Sequence, residues 1–196
     1  MNLGDRRRAR LAAALPWLLL AGLLDAWSAP SRAAHTLYTS PLRTFACEVP
    51  GGWQALELQT PAGSSAHFLG PAEADGAWRA ALHVHFLQKD QAGFIPFDAL
   101  LKRERASDPL SRREASVISR RNVARGSARR FEVSETRLLP DGGLPGRPVI
   151  LHHYYAMIPA PDGYFVVKLS TLRETYLAYR DDFDRALGTF QILGAP

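Results

Sequence analysis

The sequence has little of several features that mark familiar classes of protein. Its 196 residues include one cysteine, which excludes a disulfide framework within the chain. After residue 35, no apolar run approaches the ~18 residues of a membrane-spanning helix. Residues 1–34 hold five of the 24 basic and two of the 19 acidic side chains, which leaves the other 162 residues a net charge of +2. A nearly neutral domain offers no electrostatic basis for binding nucleic acid.

The sequence also lacks the short motifs of common enzymes. It contains no Gly-x-Ser-x-Gly elbow, Walker loop, Gly-x-Gly-x-x-Gly, His-Glu-x-x-His or Cys-x-x-Cys. Each of these motifs fixes a nucleophile, a phosphate loop or a metal ligand set in a local geometry. We therefore expect a non-enzymatic protein without a cofactor, although a catalytic triad assembled in space would leave no such motif.

The N-terminal segment predicts export. Arginines at positions 6–8 and 10 precede an apolar stretch over residues 11–24, and small residues follow it. As a helix this stretch would span about 21 Å, which is short of the ~30 Å hydrocarbon core of a bilayer. We expect a signal peptide and short spacer over residues 1–34, cleaved after Ser28 or Ala33, with an uncleaved anchor as the alternative. Residues 35–196 then form a single periplasmic or secreted domain.

Alternating apolar and polar residues predict many antiparallel strands. The clearest strand spans 78–88, where Leu82, Val84 and Phe86 share one face. Residues 67–69 are predicted as a short strand that Gly70 and Pro71 end, between loops at 61–65 and 72–77. Further strands are predicted over 44–49, 53–59, 117–123, 128–138, 149–158, 164–170 and 190–192, and a helix over 97–106. The fold class expected is α+β, an antiparallel β-sheet flanked by helices.

A second helix is predicted near the C-terminus. Thr171 and Glu174 fit a capping box at its start, and Gly188 fits a left-handed cap at its end. Between them, apolar side chains recur at helical spacing, which predicts one buried face: Leu172, Tyr176, Tyr179, Phe183 and Leu187.

Residues 45–53, which read Phe-x-Cys-x-Val-Pro-x-Gly-Trp, resemble the opening signature of the PsbP/Mog1/DcrB-like superfamily. The resemblance extends over roughly residues 38–193. It implies an antiparallel sheet flanked by helices in a PsbP/Mog1-like sandwich, typically without catalysis. Members serve as extrinsic photosystem subunits, Ran-binding factors or exported bacterial proteins. None of these partners transfers to this chain, since an export signal excludes a nuclear GTPase and a shared fold does not fix function.

Two histidines are candidate metal ligands. His83 and His85 are two residues apart on a predicted strand, so their rings share a face about 6–7 Å apart along the backbone. Neutral imidazole suits Zn and Cu, but a metal site needs at least one further ligand. His152 and His153 point to opposite faces, so only one of them is available to join. The alternative is that this face simply meets solvent or a covering helix.

Other conspicuous residues receive structural interpretations. Cys47 alternates with Phe45 and Val49 and is expected to be a small buried hydrophobe. Three arginine pairs, at 112–113, 120–121 and 129–130, are expected to divide between the two faces of their strands and to lie at solvated edges. The aspartates at 181, 182 and 184 are expected on the exposed side of the last helix.

The function expected from these observations is protein–protein interaction in the cell envelope by an exported, non-enzymatic single-domain protein. Trp78 and Phe94 are the candidate contact residues, because exposed aromatic side chains anchor interfaces well. The partner would be an envelope or secreted protein. The alternative is a small-ligand or metal-binding carrier that uses the groove between sheet and helix. A deep, polar-lined pocket containing His83, His85 and a third histidine would favour the carrier, whereas a flat apolar patch of several hundred Å² would favour partner binding.

Overall fold

The computed structural model describes residues 34–73, 76–139 and 146–194, all within one compact unit, Ala33–Pro196. The predicted signal peptide and both cleavage sites lie outside the described residues. The elements in chain order are β1 (His35–Thr39), β2 (Phe45–Pro50), β3 (Gln54–Thr60), β4 (Gly63–Glu73), β5 (Trp78–Gln88), α1 (Phe97–Glu104), β6 (Glu114–Ala115), β7 (Ser119–Val123), β8 (Gly126–Leu139), β9 (Arg147–Ala160), β10 (Gly163–Leu172), α2 (Tyr176–Gly188) and β11 (Gln191–Ile192). Neither helix within these ranges is long and apolar enough to cross a membrane.

An eight-stranded sheet forms the centre of the fold. Its strand order is β3-β4-β5-β10-β9-β8-β6, with β7 also paired to β8, and every pairing is antiparallel. A second sheet has the order β1-β2-β11. The expected α+β class, an antiparallel sheet flanked by helices, is confirmed. The predicted strand at 78–88 is confirmed in full as Trp78–Gln88.

One face of the large sheet packs against β2 and α2. Successive side chains of a strand point to opposite faces, so Leu82 and Val84 of β5 enter this core together. Phe45 of β2 lies 6.0 Å from Phe165 of β10, ring centre to ring centre. Phe183 of α2 stacks on the sheet at Tyr154 with ring centres 5.5 Å apart. Four residues of the apolar stripe predicted for the last helix cover this face, whereas the fifth, Leu172, is the last residue of β10 and not part of the helix.

Trp53 follows the Pro-x-Gly turn and lies half-buried against α2. Its ring is 5.9 Å from that of Tyr179. A Cβ added to Gly70 would come within 2.8 Å of two ring atoms of Trp53, so no larger residue fits beneath the indole. The turn signature and this glycine together hold the first strands of the large sheet against the helix.

The opposite face of the large sheet is covered in part by α1. Leu100 and Leu101 are buried there in a second core with Tyr155, Met157 and Tyr164. This core occupies the middle strands of the sheet. The outer strand β3 is exposed along nearly its whole length.

The prediction that Gly70 and Pro71 end a short strand is wrong. Strand β4 extends from Gly63 to Glu73, and its register against β5 shifts between Leu69 and Ala72. Proline cannot donate to a β-ladder, so it is tolerated at such an irregularity. The predicted loops at 61–65 and 72–77 are correspondingly shorter.

Both predicted ends of the last helix are also wrong. Thr171 lies buried in β10, and α2 begins after Thr175, whose hydroxyl donates to Glu73 at 2.8 Å. Gly188 is the last helical residue, and Thr189 follows it in the right-handed conformation. The Thr189 hydroxyl accepts a hydrogen bond from the backbone N–H of Glu48 in β2 at 2.9 Å. Side-chain contacts with distant strands, rather than local capping interactions, therefore fix the two ends of this helix.

We expect Phe183→Ala to lower the free energy of unfolding by about 3–5 kcal/mol, because Phe183 is fully buried and its removal leaves a cavity. Leu177→Ala on the same helix is the matched control. Leu177 is 61% exposed, so its loss should change stability by no more than about 0.5 kcal/mol. Urea unfolding measures both. Equal effects of the two substitutions would contradict the packing described for α2.

Candidate metal centre

Three histidines lie together on the α1 side of the large sheet. In the pairing of β4 with β5, His67 is directly opposite His83, and Ser65 is opposite His85. Because the side-chain period of a strand is two, all three rings point to the same face. The pairing of neighbouring strands thus supplies a third histidine to the His83 and His85 pair expected from the sequence.

The three rings are close enough to share one ion. Nδ1 of His83 lies 3.0 Å from Nδ1 of His67, a hydrogen bond in which one neutral ring donates and the other accepts. The ring centre of His67 is 4.6 Å from that of His83 and 5.2 Å from that of His85. One ring nitrogen of each residue lies within 4.8 Å of those of the other two. Ring nitrogens around tetrahedral zinc are about 3.3 Å apart, given Zn–N distances of ~2.0–2.1 Å, so the rings need to close by little.

The environment keeps these imidazoles neutral. Burial is the main cause that lowers the pKa of His83 to about 3, and the nearby basic groups His67, His85, Lys168 and His153 further disfavour a proton on this ring. Burial also dominates at His85, whose pKa falls to about 4, and it lowers the pKa of His67. Only a neutral imidazole has a free lone pair for a metal, and metal ions bind deprotonated ligands. The cluster is therefore in its ligating form at neutral pH.

Lys168 of β10 is the next polar residue across the sheet after His67 and His83. It is opposite His83 in β5 and opposite Tyr155 in β9. Its ammonium lies 5.2 Å from the centre of the Tyr155 ring, a cation–π contact. Burial lowers the pKa of Lys168. The Lys168 side chain therefore lies beside His83 on the covered side of the face, with its ammonium against Tyr155.

A network of charges closes the site beneath α1. The Tyr155 hydroxyl donates to Glu104 at 3.1 Å, and Arg113 donates to the backbone oxygen of Glu104 at 2.8 Å. Arg113 also hydrogen-bonds Glu135, which accepts a second bond from Arg137 at 2.9 Å. These carboxylates are consequently engaged with arginines or tyrosine.

The two adjacent histidines of β9 stay outside the cluster. His153 points to the same face as His83, but its Nδ1 is hydrogen-bonded to Ser170 at 2.9 Å. Its Nε2 is buried and lies 3.4 Å from a Glu135 oxygen, without hydrogen-bond geometry. His152 points to the α2 side and packs against Tyr176, with ring centres 4.2 Å apart. The third ring of the cluster thus comes from His67 rather than from either of these.

The open side of the cluster borders the outer strand β3. Leu56 is opposite His67, and Leu58 is opposite Ser65, so both leucines share the histidine face. They are 44% and 54% exposed. The histidines therefore lie between a covered core on one side and exposed apolar side chains on the other.

The two residues predicted as partner contacts are only half-exposed. Trp78 begins β5, and its indole N–H is buried without a hydrogen-bond partner among the described residues. Phe94 packs against Tyr164 with ring centres 5.9 Å apart and borders the second core. Their role in partner binding stays a prediction.

Cys47 is buried, as expected from its alternation with Phe45 and Val49. It is 1% exposed, and burial raises the pKa of its thiol to about 12. A thiol with such a pKa is protonated at neutral pH and is a poor nucleophile or ligand.

The expectation that the paired arginines lie at solvated edges is wrong for several of them. Arg121 and Arg130 both hydrogen-bond Asp184 of α2, the second at 2.6 Å, and the Arg130 side chain is 14% exposed. Asp182 likewise pairs with His35 at 2.9 Å. These side chains fasten α2 to the strands instead of facing solvent.

The sequence reasoning did not single out His67. The available signal was the alternation of side chains along the strand. His67 and Phe68 point to opposite faces, as His83 and Leu82 do. Using this signal required the register of β4 against β5, and the irregularity after Leu69 conceals that register in the sequence.

No family model and no curated protein matches the chain. Among solved structures, it is similar to cyanobacterial PsbP from Synechocystis sp. PCC 6803, with 12% identity, 87% of this chain and 99% of that chain covered, and a TM-score of 0.46. It is also similar to LpqN, involved in cell envelope biogenesis of Mycobacterium tuberculosis, with 17% identity, 82% and 91% coverage, and a TM-score of 0.45. A protein of unknown function from Pseudomonas aeruginosa, PA94, has 16% identity, 84% and 99% coverage, and a TM-score of 0.44.

A PsbP protein is thus among the solved structures to which this chain is similar.

We expect protonation of His153 to destabilise the fold, because burial lowers its pKa to about 4 from an ordinary value of 6.5. The unfolded chain then binds the proton more tightly. The stability that neutral His153 contributes is complete above pH 6.5 and is lost, by up to about 3 kcal/mol, as the pH falls towards 4. Urea unfolding of wild type and His153→Gln over this range measures the difference.

The substitution should flatten the decline of stability with falling pH, whereas Lys102→Gln on the exposed side of α1 should not. Parallel curves for wild type and His153→Gln would show that the histidine does not titrate as described.

Proposed function

We propose that this chain is an exported metal-binding protein of the cell envelope, and that His67, His83 and His85 bind the ion. The observation that carries the proposal is the third histidine, which strand pairing brings to the pair expected from the sequence. Three ring nitrogens within 4.8 Å of one another form an incomplete tetrahedral set. The carrier interpretation, an alternative in the sequence analysis, is thereby favoured over the partner-binding one.

The chemistry of the ligands favours zinc or copper. Imidazole nitrogen suits Zn²⁺ and Cu²⁺, whereas Ca²⁺ and Mg²⁺ prefer oxygen ligands. Three protein ligands leave a fourth position open, which suits an ion that is to be exchanged or further ligated. The half-buried setting of the rings, with their pKa values lowered by burial, keeps the lone pairs available at neutral pH.

The cellular location belongs to the same proposal. The arginines and apolar stretch of residues 6–24 support export to the periplasm or the exterior. The role we propose is binding rather than catalysis, in keeping with the lack of nucleophile and nucleotide motifs in the sequence.

Protein binding is the second candidate function, and the outer strand β3 favours it. An outer strand has unpaired backbone groups along one side, and charged residues or proline commonly protect such edges. Strand β3 carries a single charge, at Glu57, and presents Leu56 and Leu58 to solvent. We infer that a partner in the envelope would contact this strand in preference to Trp78 or Phe94.

We expect the full chain freed of metal by chelation to bind Zn²⁺ with a stoichiometry of one in calorimetry. Mutation of a residue that only orients a metal ligand lowers metal affinity by ~10–100-fold. Loss of a ligand itself should cost at least as much, so we expect His67→Ala and His83→Ala each to weaken zinc binding by at least about 100-fold. His35→Gln is the matched control, since His35 pairs with Asp182 outside the cluster, and it should bind as wild type does.

Binding to the folded state should also raise stability, by about 2.7 kcal/mol when free zinc exceeds its dissociation constant 100-fold. Wild-type affinity in His67→Ala would refute the proposed centre, because His67 is the ligand that only the fold supplies.

For partner binding, we expect Leu56→Ser combined with Leu58→Ser to abolish capture of an envelope protein that the wild-type chain retains. Removing two exposed apolar side chains costs little stability but removes the anchors of such a contact. Leu177→Ser on α2, which replaces a leucine that is 61% exposed, is the matched control and should capture normally. Capture that survives the double substitution would exclude β3 as the contact surface.

A further inference from the structure

We propose that the metal centre takes a small oxyanion as its fourth ligand, held between the metal and Lys168. The inference rests on the proposed metal-binding function. It specifies the class of ligand that would occupy the open coordination position of the metal. The anion would have two or more oxygen atoms, as in a carboxylate, so that one oxygen binds the metal and another accepts a hydrogen bond from the ammonium.

The placement of Lys168 is the first reason. It is the direct antiparallel partner of His83, on the same face of the sheet. Side chains directly opposite each other in such a pair have Cβ atoms about 4.5–5.5 Å apart. The ammonium rests on Tyr155 in the strand on the other side of β10, so the lysine would turn towards β5 to reach a ligand of an ion bound by His83.

The charges of the loaded site are the second reason. Three neutral imidazoles leave a divalent ion its full charge of about +2, and Lys168 adds a positive charge beside it. Two partly buried cations without an anion repel each other at short range in a medium of lowered dielectric constant. A negatively charged fourth ligand removes this repulsion and satisfies the open coordination position at once.

The nearby carboxylates are the third reason, because they are already engaged. Glu104 accepts hydrogen bonds from Tyr155 and Arg103, and Glu135 accepts them from Arg113 and Arg137. Within the described residues, Lys168 forms no salt bridge, and its ammonium rests on the Tyr155 ring. Glu104 and Glu135 act on Lys168 only from beyond ion-pair distance, so we infer that an anion bound directly between metal and lysine comes from outside the chain.

The test uses the full chain loaded with Co²⁺, a spectroscopically visible replacement for zinc, and acetate as the probe. At fixed pH and ionic strength, acetate should change the visible spectrum of bound cobalt saturably and should tighten Co²⁺ binding. Lys168→Met should weaken acetate binding ten- to hundredfold, as expected for loss of a hydrogen bond to a charged group. Without acetate, the same variant should bind Co²⁺ as tightly as wild type or more tightly, since it removes a repelling charge.

Two further variants make the result specific. Lys168→Arg keeps the positive charge and should retain the acetate response. This variant distinguishes loss of the charge from a general disturbance of the fold. Lys102→Met on the exposed side of α1 is the matched control and should behave as wild type. A spectrum unaffected by acetate, or an equal response in Lys168→Met, would overturn the inference.

Glu104→Gln tests whether the chain supplies its own carboxylate. If this variant loses Co²⁺ affinity in buffer without acetate, Glu104 is the fourth ligand and the inference is overturned. The two proposals fail in different ways. Absence of Co²⁺ binding refutes the metal centre itself, whereas binding without an anion response refutes only the role of Lys168.

Discussion

The antiparallel pairing of β4, β5, β10 and β9 is the constraint on which both cores and the candidate site depend. A strand that alternates its side chains can bury one set against one layer and the other set against a second layer. In this fold the first set meets β2 and α2, and the second set meets α1. A slip of one residue in any pairing would exchange the two faces and place histidines in an apolar core.

The face of the large sheet that meets α1 partly buries an unusual set of polar side chains. Across the four strands, one row of partners reads His67, His83, Lys168 and Tyr155. Polar groups removed from water cost stability unless they are hydrogen-bonded or paired. In this row His67 and His83 hydrogen-bond each other, and the Tyr155 hydroxyl donates to Glu104. The histidine end of the row is the part to which our proposal assigns metal binding.

Stability is recovered around the site by contacts between distant parts of the chain. Glu73 at the end of β4 accepts a hydrogen bond from Thr175 at the start of α2, and Asp184 joins the same helix to Arg121 and Arg130. On the other side, Arg113 links α1 to β8 through Glu135. Each face of the sheet thus has a helix held in place by buried or half-buried charges.

Particular elements show how far sequence reasoning reached. Strand β5 could be predicted to the residue, because polar and apolar residues alternate through its centre, from Leu82 to Phe86. Strand β4 could not, since Gly70 and Pro71 look like an end when the neighbouring strand is unknown. The start of α2 was missed for a related reason, because the partner of Thr175 lies 102 positions away at Glu73.

The sequence by itself determined the fold class, the two faces of β5 and the shared orientation of His83 and His85, because these follow from local periodicity. Only the tertiary structure decided that His67 completes the cluster and that Lys168 lies beside it. Those neighbours depend on the register between strands far apart in the chain. Register is set by packing over the whole sheet, and no local pattern of residues records it.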